Sequence, residues 1–235
     1  MIKRIRFATR PAAAAAGGTA AGDFAAAWRA AVAGALAAPP DARPVRVAVC
    51  TALPELTPDP RHDGIGLEWF TDAGHLARFE SWLSSPAGRL VDELLARAVD
   101  PAASPVVVAR EHVMRGADWL ERRWRDGGER LKHMAIARRA AGLTPAEFSE
   151  RWRGRAGRVG AVVIPESARG QAYLQNHPLP RSSGEWAYDA LNEVYVDGLD
   201  GMRARIAWFA ENLDGRGEAD LVGQSWFVAA REEVL

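Results

Sequence analysis

The order of apolar segments in this chain occurs twice, and that repetition limits what it can fold into more than any other feature. In the first half, residues 2–8 read as a strand. Phe24, Trp28, Ala31 and Ala35 then recur at helical spacing behind Gly22 or Asp23, either of which can cap the helix. Residues 45–52, with valine at alternate positions, and residues 65–71, opened by Asp63-Gly64, read as two more strands. Leu76, Phe79 and Leu83 mark a second helix, Pro86-Ala87-Gly88 breaks it, residues 90–99 add another, and residues 105–113 are a fourth strand. In the second half, residues 131–138 are a strand. Thr144-Pro145-Ala146-Glu147 is a capping box with proline at the first helical position, ahead of Phe148 and Trp152. Strands follow at 169–176 and 189–196, then a helix at 200–212 with Met202, Ile206 and Phe209, and a last strand at 225–233. Between the halves, residues 115–130 read as a short amphipathic helix closed by Gly127-Gly128.

The halves agree in residue types as well as in order. Asp23-Phe24-x-x-x-Trp28 answers Glu147-Phe148-x-x-x-Trp152, and Ala109-Arg110-Glu111-His112-Val113 answers Ala230-Arg231-Glu232-Glu233-Val234. A β-α-β-β-α-β order is the split ferredoxin-like unit, here written twice. Each four-stranded sheet leaves one apolar face to be buried. The expected fold is therefore α+β: two ferredoxin-like βαββαβ repeats packed face to face as an intramolecular dimeric α+β barrel. Residues 1–114 are the degenerate copy, 115–130 the linker, and 131–235 the copy that carries the site.

Thirty basic and thirty acidic side chains cancel, which removes any global electrostatic case for nucleic acid or an anionic membrane as a partner. The single cysteine, Cys50, excludes an internal disulfide framework and, among Val45, Val47 and Val49, reads as a buried inert thiol. No apolar run approaches the roughly 20 residues of a membrane span. A soluble cytoplasmic protein is expected, either a monomeric pseudo-dimer or a homodimer.

Ala172-Tyr173-Leu174-Gln175-Asn176-His177-Pro178 carries a phenol, two amides and an imidazole on one short strand. Buried strands hold that many polar groups when a site uses them. Residues 143–148, Trp152, residues 173–177 and residues 189–196 resemble the corresponding segments of the EthD family, within the dimeric α+β barrel superfamily, over about residues 131–235. The resemblance implies dehydratase, cyclase or decarboxylase chemistry on polyketide-like aromatics. The broader superfamily adds cofactor-free monooxygenases and haem enzymes. Where the family usually carries a histidine four residues after the helix tryptophan, this chain has Ala156.

Alternation puts Tyr173, Gln175 and His177 on one strand face, and Leu191, Glu193 and Tyr195 on one face of the next. Antiparallel pairing across the intervening loop is expected to bring His177 to Asp189 and Tyr173 to Glu193. That makes an imidazole whose tautomer a carboxylate fixes, and a phenol beside a carboxyl that burial equips to hold a proton. Aligning Asp189 with Asp63 sends Tyr173, Gln175 and His177 to Val47, Val49 and Thr51, and Glu193 and Tyr195 to Leu67 and Trp69. The face is polar in one half and apolar in the other, so one working pocket is expected. Gln175, Asn176 and Tyr195 are candidates to bind substrate, with Trp69, Trp186 and Trp226 as pocket walls. His133 reads as a solvated strand-edge residue because its counterpart is Arg4. Arg151, Arg153, Arg155 and Arg158 read as a solvated helix face, with an anion site as the other reading. No His or acidic pair has metal-ligand spacing.

The expected function is a cofactor-independent enzyme that uses His177, Asp189, Glu193 and Tyr173 for acid–base chemistry on a hydrophobic aromatic or polyketide-like small molecule. Dehydration, cyclisation or a related lyase or isomerase step fits this toolkit. The alternatives are non-catalytic small-molecule binding and a cofactor-free or haem-dependent monooxygenase.

Overall fold

Runs rich in valine, isoleucine and aromatic residues form strands with two apolar faces, which helices must then cover. The computed structural model describes residues 1–11, 21–127, 130–155, 158–159, 162–213 and 220–235. The alanine-rich stretch after Pro11, and Gly128, Ala156 and Gly157, lie outside them. The chain divides into two units. The first comprises residues 1–52, 60–110 and 232–235, and the second residues 53–59 and 111–231.

In the first unit, β1 (Ile2–Ala8), β2 (Arg46–Ala52), β3 (Gly64–Phe70) and the first part of β4 (Val106–Arg115) form a sheet of antiparallel neighbours in the order β4-β1-β3-β2. All of β3 is buried. Helix α1 (Ala21–Ala33) runs on into a 3-10 turn (Gly34–Ala37), and Asp23 lies inside its first turn rather than capping it. Trp28 of α1 lies against β3. A Cβ on Gly64 would come within 2.7 Å of its ring and one on Gly66 within 3.1 Å, so two glycines make the seat for the indole. Helix α2 (Ala73–Leu83) is capped by Asp72, whose side chain accepts from His75 N, and it buries the expected Leu76, Phe79 and Leu83. Helix α3 (Arg89–Ala98) completes the unit.

The second unit begins with α4 (Ala117–Asp126), the helix expected between the halves, which buries Leu120 against Ala172, Leu174 and Tyr195. There follow β5 (Arg130–Arg139), α5 (Pro145–Gly154), a small hairpin of β6 (Arg158–Val159) and β7 (Val162–Val163), and the single turn α6 (Glu166–Arg169). The chain ends through β8 (Ala172–Pro178), β9 (Ala190–Val196), α7 (Leu199–Asn212) and β10 (Val222–Val234). The sheet order is β10-β5-β9-β8, so each unit places its fourth, first, third and second main strand side by side. The capping box of α5 is present: Glu147 N donates to Thr144 Oγ1 at 3.2 Å and Thr144 N donates to Glu147 Oε2 at 2.8 Å. Hairpin β6–β7 and α6 are too short to show a periodicity, and sequence reasoning missed them. Leu53 joins this unit by packing with Leu131, Val196, Met202 and Ala229. No helix among the described residues is long and apolar enough to cross a membrane.

The turn from β4 into α4 is tightly constrained. Gly116 has φ +78°, and a Cβ there would lie 2.3 Å from the Gln171 carbonyl oxygen. Beside it, Arg115 donates to Gly170 O at 2.7 Å and to Arg169 O at 2.6 Å. Gly116→Ala is expected to destabilise the protein by on the order of 3 kcal/mol, through left-handed strain and the clash together. Urea denaturation measures it.

Candidate active site

Strand register decides which side chains meet in the second unit. β8 pairs with β9 so that Tyr173 is opposite Val194, Leu174 opposite Glu193, Gln175 opposite Asn192 and Asn176 opposite Leu191. β5 places His133 opposite Val194, Ala135 opposite Asn192 and Ala137 opposite Ala190. One face therefore presents His133, Tyr173, Gln175, His177 and Asn192, and the other Lys132, Asn176, Glu193 and Tyr195. Helices α5 and α7 cover the first face. Phe148 packs on Ala137 and Ala190, and Phe209 meets His133 edge-on at 6.0 Å.

Beneath those helices, where β5 contributes the small side chains of Ala135 and Ala137 beside His133 and Ile136, lies a cavity of about 120 Å³. Trp152, Phe209 and Phe227 supply aromatic wall. Tyr173, Asn192, His133 and the arginines at 115, 155, 158, 169 and 205 supply its polar groups.

A hydrogen-bonded chain runs along β8 to Tyr173. Ser149 Oγ of α5 donates to His177 Nδ1 at 2.7 Å, His177 Nε2 donates to Gln175 Oε1 at 3.0 Å, and Gln175 Nε2 donates to Tyr173 Oη at 2.8 Å. Because the Gln175 carbonyl oxygen only accepts, His177 Nε2 carries a proton, and in the neutral imidazole Nδ1 then accepts from Ser149. The protein favours that form: burial, then Arg153 and His112, lower the His177 pKa from 6.5 to about 4. Across the cavity, Arg205 Nε donates to His133 Nδ1 at 3.2 Å, and His133 stacks on Phe227 at 5.2 Å. Burial, then Arg205, lower the His133 pKa to about 3. Asn192 Oδ1 accepts from Trp152 Nε1 at 3.1 Å, which leaves the Asn192 amide donors for the cavity it lines.

The polar trio Tyr173, Gln175 and His177 shares a face and is hydrogen-bonded together, but the two expected carboxylate partnerships do not form. The pairing is one residue away from the anticipated register, and such a shift moves every side chain to the opposite face. Glu193 lies behind the sheet from Tyr173. It forms a fully buried ion pair with Lys132 at 2.7 Å and accepts from Asn176 Nδ2 at 2.8 Å, with the Tyr195 hydroxyl 3.4 Å away. It is therefore not a lone carboxyl poised to hold a proton. Asp189 binds Arg139 through both the backbone N–H, at 3.0 Å, and the guanidinium. Ser149 and Gln175 orient His177 in its place.

Of the expected walls, Trp186 donates to Leu179 O at 2.6 Å, Trp226 packs edge-on to Tyr188 at 5.7 Å, and Trp69, in the first unit, lies 4.7 Å beneath Lys3 Nζ. None of the three lines the cavity. His133 is 4 % exposed rather than solvated. Arg155 and Arg158, read first as a solvated face, border the cavity. Sequence reasoning missed Ser149, Asn192 and Arg205. Arg205 did leave a signal, because it interrupts the helical stripe Met202–Phe209 with a charge on the buried side.

No known protein-family profile matches the chain, and no curated protein matches it. Among solved structures, a "putative monooxygenase" from Lactobacillus acidophilus NCFM aligns over 100 % of this chain and 98 % of its own, at 11 % identity and a TM-score of 0.46. A second "putative monooxygenase", from Fusobacterium nucleatum, aligns over 100 % and 91 % at 8 % identity and a TM-score of 0.42. Likeness of this extent carries no argument about what this chain does.

Two outcomes follow from the buried charges. Glu193→Gln strands the Lys132 ammonium and is expected to cost about 3–5 kcal/mol, whereas Lys132→Met combined with Glu193→Leu recovers most of that loss. Thermal melts of the single and double variants decide it. The second outcome concerns the histidines. His62, His133 and His177 have pKa values lowered by burial from 6.5 to about 4, about 3 and about 4. The unfolded chain binds more protons at these sites below pH 6.5, so their contribution to stability is complete above that pH. It is lost as pH falls through 6.5 toward 4 and then 3. Denaturation midpoints should drop steadily from pH 7 to pH 4, and less steeply in His133→Phe.

Proposed function

We propose that the chain is a cofactor-independent enzyme of EthD type, acting by acid–base chemistry on a hydrophobic aromatic or polyketide-like small molecule. The reaction class is dehydration, cyclisation or a related lyase or isomerase step. The observation that supports this is the chain Ser149–His177–Gln175–Tyr173, which leads to a phenol lining an aromatic-walled cavity. Every link donates toward the Tyr173 oxygen, and Arg205 is close enough for the two side chains to interact electrostatically. Both effects stabilise negative charge on that oxygen. Tyr173, as the phenolate left when its hydroxyl proton passes to solvent, takes a proton from the carbon next to a substrate carbonyl, while Asn192 donates to the carbonyl oxygen on which charge develops. Tyr173 then returns the proton to a leaving hydroxyl in a dehydration, or to another carbon in an isomerisation. Trp152, Phe209 and Phe227 hold the flat body of the substrate. His177 is a positioning residue, and Asp189 and Glu193 serve the fold. The proposal extends to ancestry: the two units are copies of one ferredoxin-like βαββαβ unit, which their shared strand order supports.

Solvent deuterium incorporation into 1-tetralone, followed by NMR, tests the proton transfer without knowledge of the natural substrate. Tyr173→Phe is expected to slow enzyme-dependent exchange by about a hundredfold or more, and Ser149→Ala by roughly tenfold, with melting temperatures little changed. Exchange by Tyr173→Phe at the wild-type rate overturns the proposal and leaves a binding protein.

A further inference from the structure

The charge around the cavity is one-sided. Among the described residues five arginines and no Asp or Glu line it; Arg155 and Arg169 pair with Asp220 and Glu166 outside the lining. Arg205 is the most deeply placed, at 5 % exposure, with its guanidinium 4.4 Å from the centre of the Phe209 ring. Its hydrogen bonds go to His133 Nδ1 and to Ala168 O, both neutral groups. Among the described residues no acidic side chain pairs with it. Arg115 is in the same position: it donates to the carbonyls of Arg169, Gly170 and Gln171, and no acidic side chain among the described residues pairs with it either. Burial holds Arg205 at about 10, with Arg115 adding to that shift, so it keeps its charge at neutral pH. Elsewhere in the same sheet the chain provides Lys132 with Glu193 as a buried counter-charge. Among the described residues it provides Arg205 with none, and Arg205 lines the cavity instead. A desolvated cation in that state is costly until an anion arrives.

We infer that the substrate of this cavity carries a carboxylate on its aromatic or apolar body, held by Arg205 with support from Arg115 and Arg158. The planar fork of a guanidinium matches a carboxylate in two parallel hydrogen bonds. The anion also orients the rest of the molecule, bringing its carbonyl toward Asn192 and Tyr173. This rests on the reading of the cavity as the substrate site, and it narrows the substrate class.

Calorimetric titration of the full chain with benzoate and with its neutral isostere benzamide tests it. Benzoate is expected to bind once per chain, at least about tenfold tighter than benzamide, and to weaken as salt is raised. Arg205→Gln should bring benzoate to within about twofold of benzamide. Arg158 is exposed and on a two-residue strand, so Arg158→Gln should weaken benzoate several-fold with an unchanged melting temperature. The wild-type comparison and this variant decide the matter if Arg205→Gln fails to fold. Equal affinity for the two probes, no benzoate binding at millimolar concentration, or a preference untouched by both variants overturns the inference. The two proposals fail separately. Tetralone exchange that survives Tyr173→Phe while benzoate is still preferred sinks only the acid–base reading. Exchange that depends on Tyr173 without a benzoate preference sinks only this one.

Discussion

The pairing of β8 with β9 is the constraint on which the second unit depends. With Tyr173 opposite Val194, the phenol, the amide of Gln175 and the imidazole of His177 all lie under α5 and α7, and Glu193 lies behind the sheet. A register one residue different would turn Tyr173 toward Glu193 and take the Asn176 amide off the Glu193 carboxylate, which is buried with Lys132. The Asn176–Glu193 hydrogen bond and the hydrogen-bonded chain therefore favour the same register from opposite faces. Asp189 adds a third restraint by tying the start of β9 to Arg139 at the end of β5.

Buried charge is handled in two ways within a single sheet. On one face Lys132 and Glu193 neutralise each other with no exposure, and Asn176 supplies a further donor to the carboxylate. That arrangement fixes structure and offers nothing to a ligand. On the other face Arg205 is surrounded by a neutral histidine, a carbonyl and a phenyl ring. Low histidine pKa values belong to the same economy, since a protonated His133 would add a second cation against Arg205. The acid sensitivity expected of the fold and the hydrogen-bond polarity of the candidate site thus share one cause, the exclusion of water.

Comparison of the units shows how space for a ligand arises. In the first unit Gly64 and Gly66 let Trp28 settle onto β3, where its Nε1 is buried with no hydrogen-bond partner. In the second, the residue corresponding to Gly66 is Asn192, and it receives the hydrogen bond of Trp152. A side chain that meets the indole at its N–H holds the ring away from the strand, and Ala135 and Ala137 leave the volume beneath unfilled. The same helix tryptophan is a core plug in one unit and a wall in the other.

Periodicity and repetition determined the elements. The main strands, the long helices, the Thr144–Glu147 box and the grouping of Tyr173, Gln175 and His177 on one face all follow from local alternation and local capping, which neighbouring residues control. Residue types also marked the second half as the polar one. Partnership was another matter. Whether His177 meets Asp189 or Ser149, and whether Glu193 meets Tyr173 or Lys132, depends on a register that loop length leaves open by one residue. Only the simultaneous burial of both sheet faces closes that choice. The cavity was equally out of reach, because it is made by what Ala135, Ala137 and Asn192 fail to fill between elements far apart in the chain. Arg205 shows the boundary best: a charge in an apolar stripe is visible in one dimension, but the absence of a counter-charge among the described residues is a fact of three.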